Sequence, residues 1–221
     1  MIRDILRQIT TITSTFINKN LAIEYQFPVT KDKKIEWENC KDISYTLKNQ
    51  PYCNVYNQIV EKKDFNIRFP DGAIFQFMYS FDSRWRNIIA HRLAYFPSLY
   101  TKPLTNLDYI DEFYGAWDMF SDIEEMENIV CPIRFDYDSD PGRYIEHDHS
   151  YSHCTIWNYK NCRIPVTSPV NPFDFINFIL KHFYNELYNE HFLGVFWSTL
   201  KHPSVLSTNE KNNLHLFFPS R

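Results

Sequence analysis

Three of the chain's eight histidines, His147, His149 and His153, fall within seven residues of the stretch "YIEHDHSYSHCTIW". Imidazole binds transition metals and moves protons near neutral pH, so the spacing decides which chemistry is open. If 147–157 is extended, His147, His149, Tyr151, His153, Thr155 and Trp157 share one face. His147 and His149 then stand about 6.6 Å apart at ~3.3 Å per residue, close enough to grip one ion. His149 and His153 would stand about 13 Å apart by the same rise, too far for one ion unless the backbone bends between them. A helical stretch would instead pair His149 with His153 at i,i+4, but "SYSHCTIW" is β-prone and favours the first pair. Asp136 and Asp138, on the polar face of "PIRFDYD", add carboxylates if the two segments pair. The expected centre is therefore a divalent ion, zinc or manganese, among His147, His149, Asp136 and Asp138. The competing reading makes the aspartates solvated strand residues and places the histidines on an exposed loop after Gly142.

A metal-free version uses the same neighbourhood. His153 would act as acid or base, and Arg134 and Arg163 would hold a phosphate or carboxylate. "HCTI" and "HPSV" both fit the His-x-Thr/Ser-apolar pattern of two-histidine phosphoesterases, although His202-Pro203 reads as a helix boundary. Cys154 adjoins His153 but points to the opposite face of a strand, so the two cannot form a local dyad. Ser150 and Ser152 fail in the same way. Farther upstream, "SRWRNIIAHR" sets Arg84, Arg86 and Arg92 around Trp85 and His91. Basic residues interleaved with aromatics bind single strands by phosphate pairing and stacking. The bland counterpart is a solvated edge with one aromatic anchor.

Composition narrows the classes. The chain has 221 residues, long for one domain and short for two, and its 44% hydrophobic content supports a real core. A formal net charge of −4 gives no global pull towards nucleic acid. Only Gly72, Gly115, Gly142 and Gly194 occur, far apart. Phosphate-cradling loops need clustered glycines, so a P-loop and a dinucleotide fingerprint are excluded. Five scattered cysteines without a C-x-x-C pattern argue for reduced thiols and a cytoplasmic chain. The N-terminus lacks the apolar run of a signal peptide, and "FLGVFW" is far short of a bilayer span. No membrane partner is expected.

The elements that must position these groups follow from periodicity. Ile2, Ile5, Ile9, Ile12 and Phe16 mark one face of a helix over 2–18. Tyr52, Tyr56, Ile59 and Val60 mark a second, opened by Pro51. The period then drops to two. Strands are expected near 65–70, 73–82, 87–96, 132–138, 152–158 and 162–166, with Asp71-Gly72 and Tyr159-Lys160-Asn161 as turns. Asn171, Pro172 and Asp174 start a helix over 172–187 with Phe173, Ile176, Leu180, Phe183 and Leu187 as its stripe. Further helical patterns lie at about 191–201 and 207–215, the latter opened by a Ser207/Glu210 capping box. The segment 97–129 reads as an excursion with a short helix. The expected class is α+β, an antiparallel sheet of five or six strands flanked by N-terminal and C-terminal helices. One domain spans 1–221, with a helical part at 1–63, the sheet at 64–167 and a second helical part at 168–221.

The ordered set "FQFMYSFD", "HRLAYFPS", "IRFDYDSD", "SHCTIW", "CRIPV" and "NPFDFINFILKHFY" resembles an uncharacterised bacterial family known as domain of unknown function 2290. The likeness runs over roughly residues 72–185. Members often carry His-x-His where this chain has His153-Cys154-Thr155, so the resemblance does not bring a metal pair to His153. It implies a small bacterial cytosolic protein and supplies no established activity. By analogy, families of this kind often sit beside toxin or phage-defence genes. Two functions are carried forward. One is a histidine-centred, metal-assisted phosphodiesterase or nuclease; the other is a non-enzymatic partner of a protein encoded nearby.

Overall fold

In the computed structural model, residues 1–38, 40, 50–99, 131–156 and 162–218 are described. The first apolar period becomes one helix, α1 (Ile2–Asn18), with Ile5, Ile9, Ile12 and Phe16 fully buried along its inner stripe. Three short strands follow: β1 (Glu24–Tyr25), β2 (Pro28–Lys31) and β3 (Lys34–Trp37). The β2–β3 hairpin turns on Asp32 and Lys33, both at positive φ, the turn hand that matches strand twist. Within the part expected as helical, 1–63, these three strands join the sheet. Strands of two to four residues are too short to display a period of two. Helix α2 (Tyr52–Glu61) follows Pro51 as the sequence indicates.

The remaining strands are β4 (Ile67–Arg68), β5 (Ile74–Phe81), β6 (Ile88–Phe96), β7 (Ile133–Asp138), β8 (Ser152–Ile156) and β9 (Arg163–Pro165). They match the six expected strands with trimmed ends. Asp71-Gly72 makes the β4–β5 turn, where Gly72 takes φ +88° and the Asp71 carboxylate accepts from the Ala73 amide at 2.8 Å. The sheet runs β1-β4-β5-β6-β7-β8-β9, and β3 shares the outer edge of β5 with β4. All pairings between these strands are antiparallel. The fold is α+β with nine strands among the described residues, more than expected. Of the anticipated turns, Tyr159-Lys160-Asn161 lies outside the described residues, as does nearly all of the 97–129 excursion.

The C-terminal part supplies α3 (Pro172–Phe183), α4 (Asn185–His191) and α5 (Thr208–Lys211). Asn171 is the N-cap of α3, with Pro172 in its first turn. The helix expected over 172–187 breaks at Tyr184, whose ψ of +51° leaves the helical region. There the Tyr184 hydroxyl donates to the Asp71 carboxylate at 2.6 Å, tying the break to the β4–β5 turn. The α3 stripe is Phe175, Ile176, Ile179 and Leu180. Phe183 is only half-buried, against Tyr95. The Ser207/Glu210 capping box is present, but the helix it opens is a single turn. The pattern at 191–201 forms no helix beyond His191.

Alternation splits the sheet into two faces. Phe77, Tyr79, Leu93, Phe135 and Cys154 join α1 and α3 in the main core. Phe175 sits edge-on to both Phe77 and Phe135, at 5.6 and 6.0 Å between ring centres. On the opposite face, Ile74, Ala94 and Phe96 pack with Val55, Tyr56 and Ile59 of α2. Beyond that smaller cluster, the same face turns polar.

Candidate functional site

Two cross-strand rows build this polar face. In one, Arg92 of β6, Asp136 of β7 and His153 of β8 stand opposite one another. In the next, Ala94, Arg134, Thr155 and Arg163 do the same across β6 to β9. Period two in each strand sends these side chains away from the core that Phe135 and Cys154 enter.

Asp136 is the hub. Arg92 Nε donates to its carboxylate at 2.9 Å, and Arg134 Nε makes a second, shorter bond. Burial pushes the Asp136 carboxyl up, but the guanidinium charges of Arg134 and Arg92 outweigh it and hold the group well below the usual carboxylate range. The same carboxylate raises Arg92. His153 Nε2 lies 3.9 Å from Asp136. Its Nδ1 faces the Ser150 carbonyl oxygen at 2.9 Å, which can only accept, so Nδ1 carries the proton and neutral Nε2 is left with its lone pair. Burial lowers His153 below its ordinary value, against the pull of Asp136. Burial thus favours the neutral imidazole, oriented by the Ser150 carbonyl.

The connection from β7 to β8 corrects the extended reading of 147–157. A 3₁₀ turn at Pro141–Arg143 is followed by a tight loop in which Ile145 and His149 exchange backbone bonds of 3.0 and 2.7 Å. His147 occupies the left-handed region at φ +63°, and its side chain is exposed. The backbone bend brings His149 back onto His153, with ring centres 4.8 Å apart. The histidine pair is thus 149/153, not 147/149. Asp138 is engaged by Arg143 at 2.8 Å. The four expected metal ligands are not gathered: among the described residues no group of three or more His, Cys, Asp or Glu side chains is placed to hold an ion.

The loop is clamped from the C-terminal segment. Glu210 is fully buried; its carboxylate accepts from Ser150 Oγ at 2.5 Å, from the Ser207 amide at 2.9 Å and from the His147 amide at 3.4 Å. Glu146 accepts from Ser207 Oγ at 2.5 Å. Sequence reasoning saw Glu210 only as a helix cap, because nothing local says that a cap carboxylate has a second client. Ser150 is thereby committed, and Ser152 donates to the Ser168 carbonyl at 2.9 Å. Cys154 lies in the core, as its strand parity requires, and burial raises its thiol to about 12. His202 bonds Asn171 at the start of α3, on the helix side of the sheet, so the two His-x-Thr/Ser segments do not face one another.

Arg84, Arg86 and Arg92 do not form one basic strip. Arg84 and Arg86 are exposed on the β5–β6 turn, whose backbone amides bond Asp82 at 3.1 and 2.8 Å. Trp85 anchors that turn against Phe81 at 6.0 Å. Arg92 lies mid-strand, about 20 Å from Arg86 at the rise of an extended chain. Arg163 donates to the Asp148 carbonyl at 3.1 Å, with the Asp148 carboxylate 3.9 Å away.

Fold and face together define an α+β protein whose open antiparallel sheet bears an arginine–histidine surface opposite its main helical core. The chain belongs to the family described as "Uncharacterized conserved protein (DUF2290)", which matches residues 21–218, a span well beyond the segments that carry the resemblance in sequence. No curated protein and no solved structure matches it. No helix among the described residues is long and apolar enough to cross a membrane.

Proposed function

We propose that the polar sheet face hydrolyses phosphodiesters by histidine acid–base chemistry, with nucleic acid as the substrate class. The observation that supports this reading is the convergence of His149 and His153 at 4.8 Å beside Asp136, one row from Arg134 and Arg163. His153 Nε2 takes a proton from the attacking water as its oxygen bonds to phosphorus. The ester P–O bond breaks, and His149 returns a proton to the leaving oxygen. Asp136 stabilises the imidazolium that forms on His153. Arg134 and Arg163 offset the charge that develops on the phosphoryl oxygens. Arg84 and Arg86, exposed on their turn, would meet the strand away from the scissile bond.

The test is turnover of an activated diester, such as bis(p-nitrophenyl) phosphate, and of single-stranded RNA and DNA in the presence of a chelator. His153→Ala should lower the rate by ~10²–10⁴-fold, the usual contribution of a positioned base. Absence of turnover, or turnover indifferent to His153, overturns the proposal.

A further inference from the structure

Thr155 carries an oxygen that the fold does not use. The residue is 8% exposed, and its Oγ1 is buried with no hydrogen-bond partner among the described residues. A buried hydroxyl without a partner is a cost that valine, of the same shape, would avoid. Its cross-strand neighbours on both sides are arginines, Arg134 on β7 and Arg163 on β9. Directly opposed residues have Cβ atoms about 4.5–5.5 Å apart, so the hydroxyl lies between two guanidinium stems. Those side chains are themselves mostly covered, at 18% and 16% exposure.

Among the described residues, the charges around this row do not balance. Three arginines, Arg92, Arg134 and Arg163, share the face with one well-buried carboxylate, Asp136, and two of them already divide it. Arg163 has the Asp148 carbonyl and, at 3.9 Å, a carboxylate that is 47% exposed. Covered cations in excess, with an unused hydroxyl donor between them, call for an anion with several acceptor oxygens.

We infer that the row Arg134–Thr155–Arg163 is a seat for a tetrahedral phosphoryl group, with the Thr155 hydroxyl as its central donor and the two guanidinium groups on either side. The placement deepens the acid–base reading above and rests on it for its catalytic meaning. Thr155 and His153 are two residues apart on one strand face, about 6.6 Å along the strand. A phosphorus atom held at the row therefore lies within reach of a water resting on His153 Nε2.

Binding can be measured without any turnover, by calorimetric titration of the full chain with inorganic phosphate and, separately, with a dinucleoside monophosphate. Saturable phosphate binding is expected, weakened about ten- to a hundredfold in Thr155→Val, the loss of one hydrogen bond to a charged group. Thr155→Ser should retain it. The thermal midpoint of Thr155→Val should not fall, since only an unsatisfied hydroxyl is removed; a ligand effect is then separated from misfolding. Arg163→Lys, which keeps charge and loses the fork, should bind at an intermediate level. Tighter binding of the diester than of free phosphate identifies an ester as the ligand, and the reverse order identifies a phosphate monoanion or dianion; either outcome supports the seat. Phosphate binding that persists in His153→Ala while no variant hydrolyses a diester keeps the seat and removes the hydrolytic reading. No saturable binding to the unmodified protein, or equal binding by Thr155→Val, overturns the inference.

Discussion

Removing the Asp136 carboxylate gives the sharpest measure of how the polar face is held. Its side chain is 14% exposed, and it neutralises Arg134 at 18% and Arg92 at 32% exposure. Taking away one partner of a buried ion pair costs ~3–5 kcal/mol, because the remaining charge is stranded. Arg92 is nearly one-third exposed, so water recovers part of that loss, and Asp136→Ala should cost about 2–4 kcal/mol. With a urea m-value of ~2 kcal/mol/M, the midpoint should fall by roughly 1–2 M. Replacing all three groups with apolar ones (Arg92→Met, Arg134→Met, Asp136→Leu) should come within about 1 kcal/mol of the original or exceed it, since desolvation of the ions disappears with them. Urea denaturation followed by tryptophan fluorescence reads both. The sign in pH also follows. Asp136 is depressed in the folded state, so its contribution is complete above the ordinary carboxylate range and is lost as pH falls towards its folded value; Asp136→Asn should lack that component. A single variant that costs less than about 1 kcal/mol, or a triple variant as damaged as the single, would refute this account of the network.

Two further outcomes are expected. Glu210→Ala should cost about 2–4 kcal/mol, adding a lost cap to a stranded Ser150 hydroxyl, while Glu210→Gln should cost less; two-dimensional NMR should show the His149 and His153 ring signals moving in both. His91 is buried, its Nε2 accepts from the Val170 amide at 2.9 Å, and burial pushes it down to about 3. The folded state therefore binds fewer protons than the unfolded chain between about pH 6.5 and about 3, and stability should fall by roughly 1.4 kcal/mol per pH unit on acidification across that window. His91→Gln should flatten this slope in thermal melts, and an unchanged slope would show that His91 is not its source.

What could be read in advance depended on whether the signal was local. Helix α1 was legible because five apolar residues keep one period without interruption. The polar face was legible in part, since alternation in "PIRFDYD" and "SHCTI" already opposes Arg134, Asp136, His153 and Thr155 to Phe135 and Cys154. Arg92 was grouped with Arg84 and Arg86 by proximity in sequence, yet the strand expected over 87–96 already contains Arg92 and leaves the other two on the turn before it. The 149/153 pairing was hidden because it depends on one residue entering the left-handed region. Histidine is among the types that do so more readily, but spacing alone does not announce it. The second role of Glu210 is a tertiary fact: its client Ser150 lies sixty residues earlier.

That separation has a temporal side. A ribosome adding roughly 5–20 residues per second reaches Glu210 about 3–12 s after Ser150. Once β8 is made, β5 to β8 can pair, but the loop bearing His149 has no carboxylate to close on until Glu210 follows. A nascent chain stalled short of residue 210 therefore carries a paired sheet and an unset histidine loop. The geometry at His149 and His153 is therefore set only after the strands that carry it have been made.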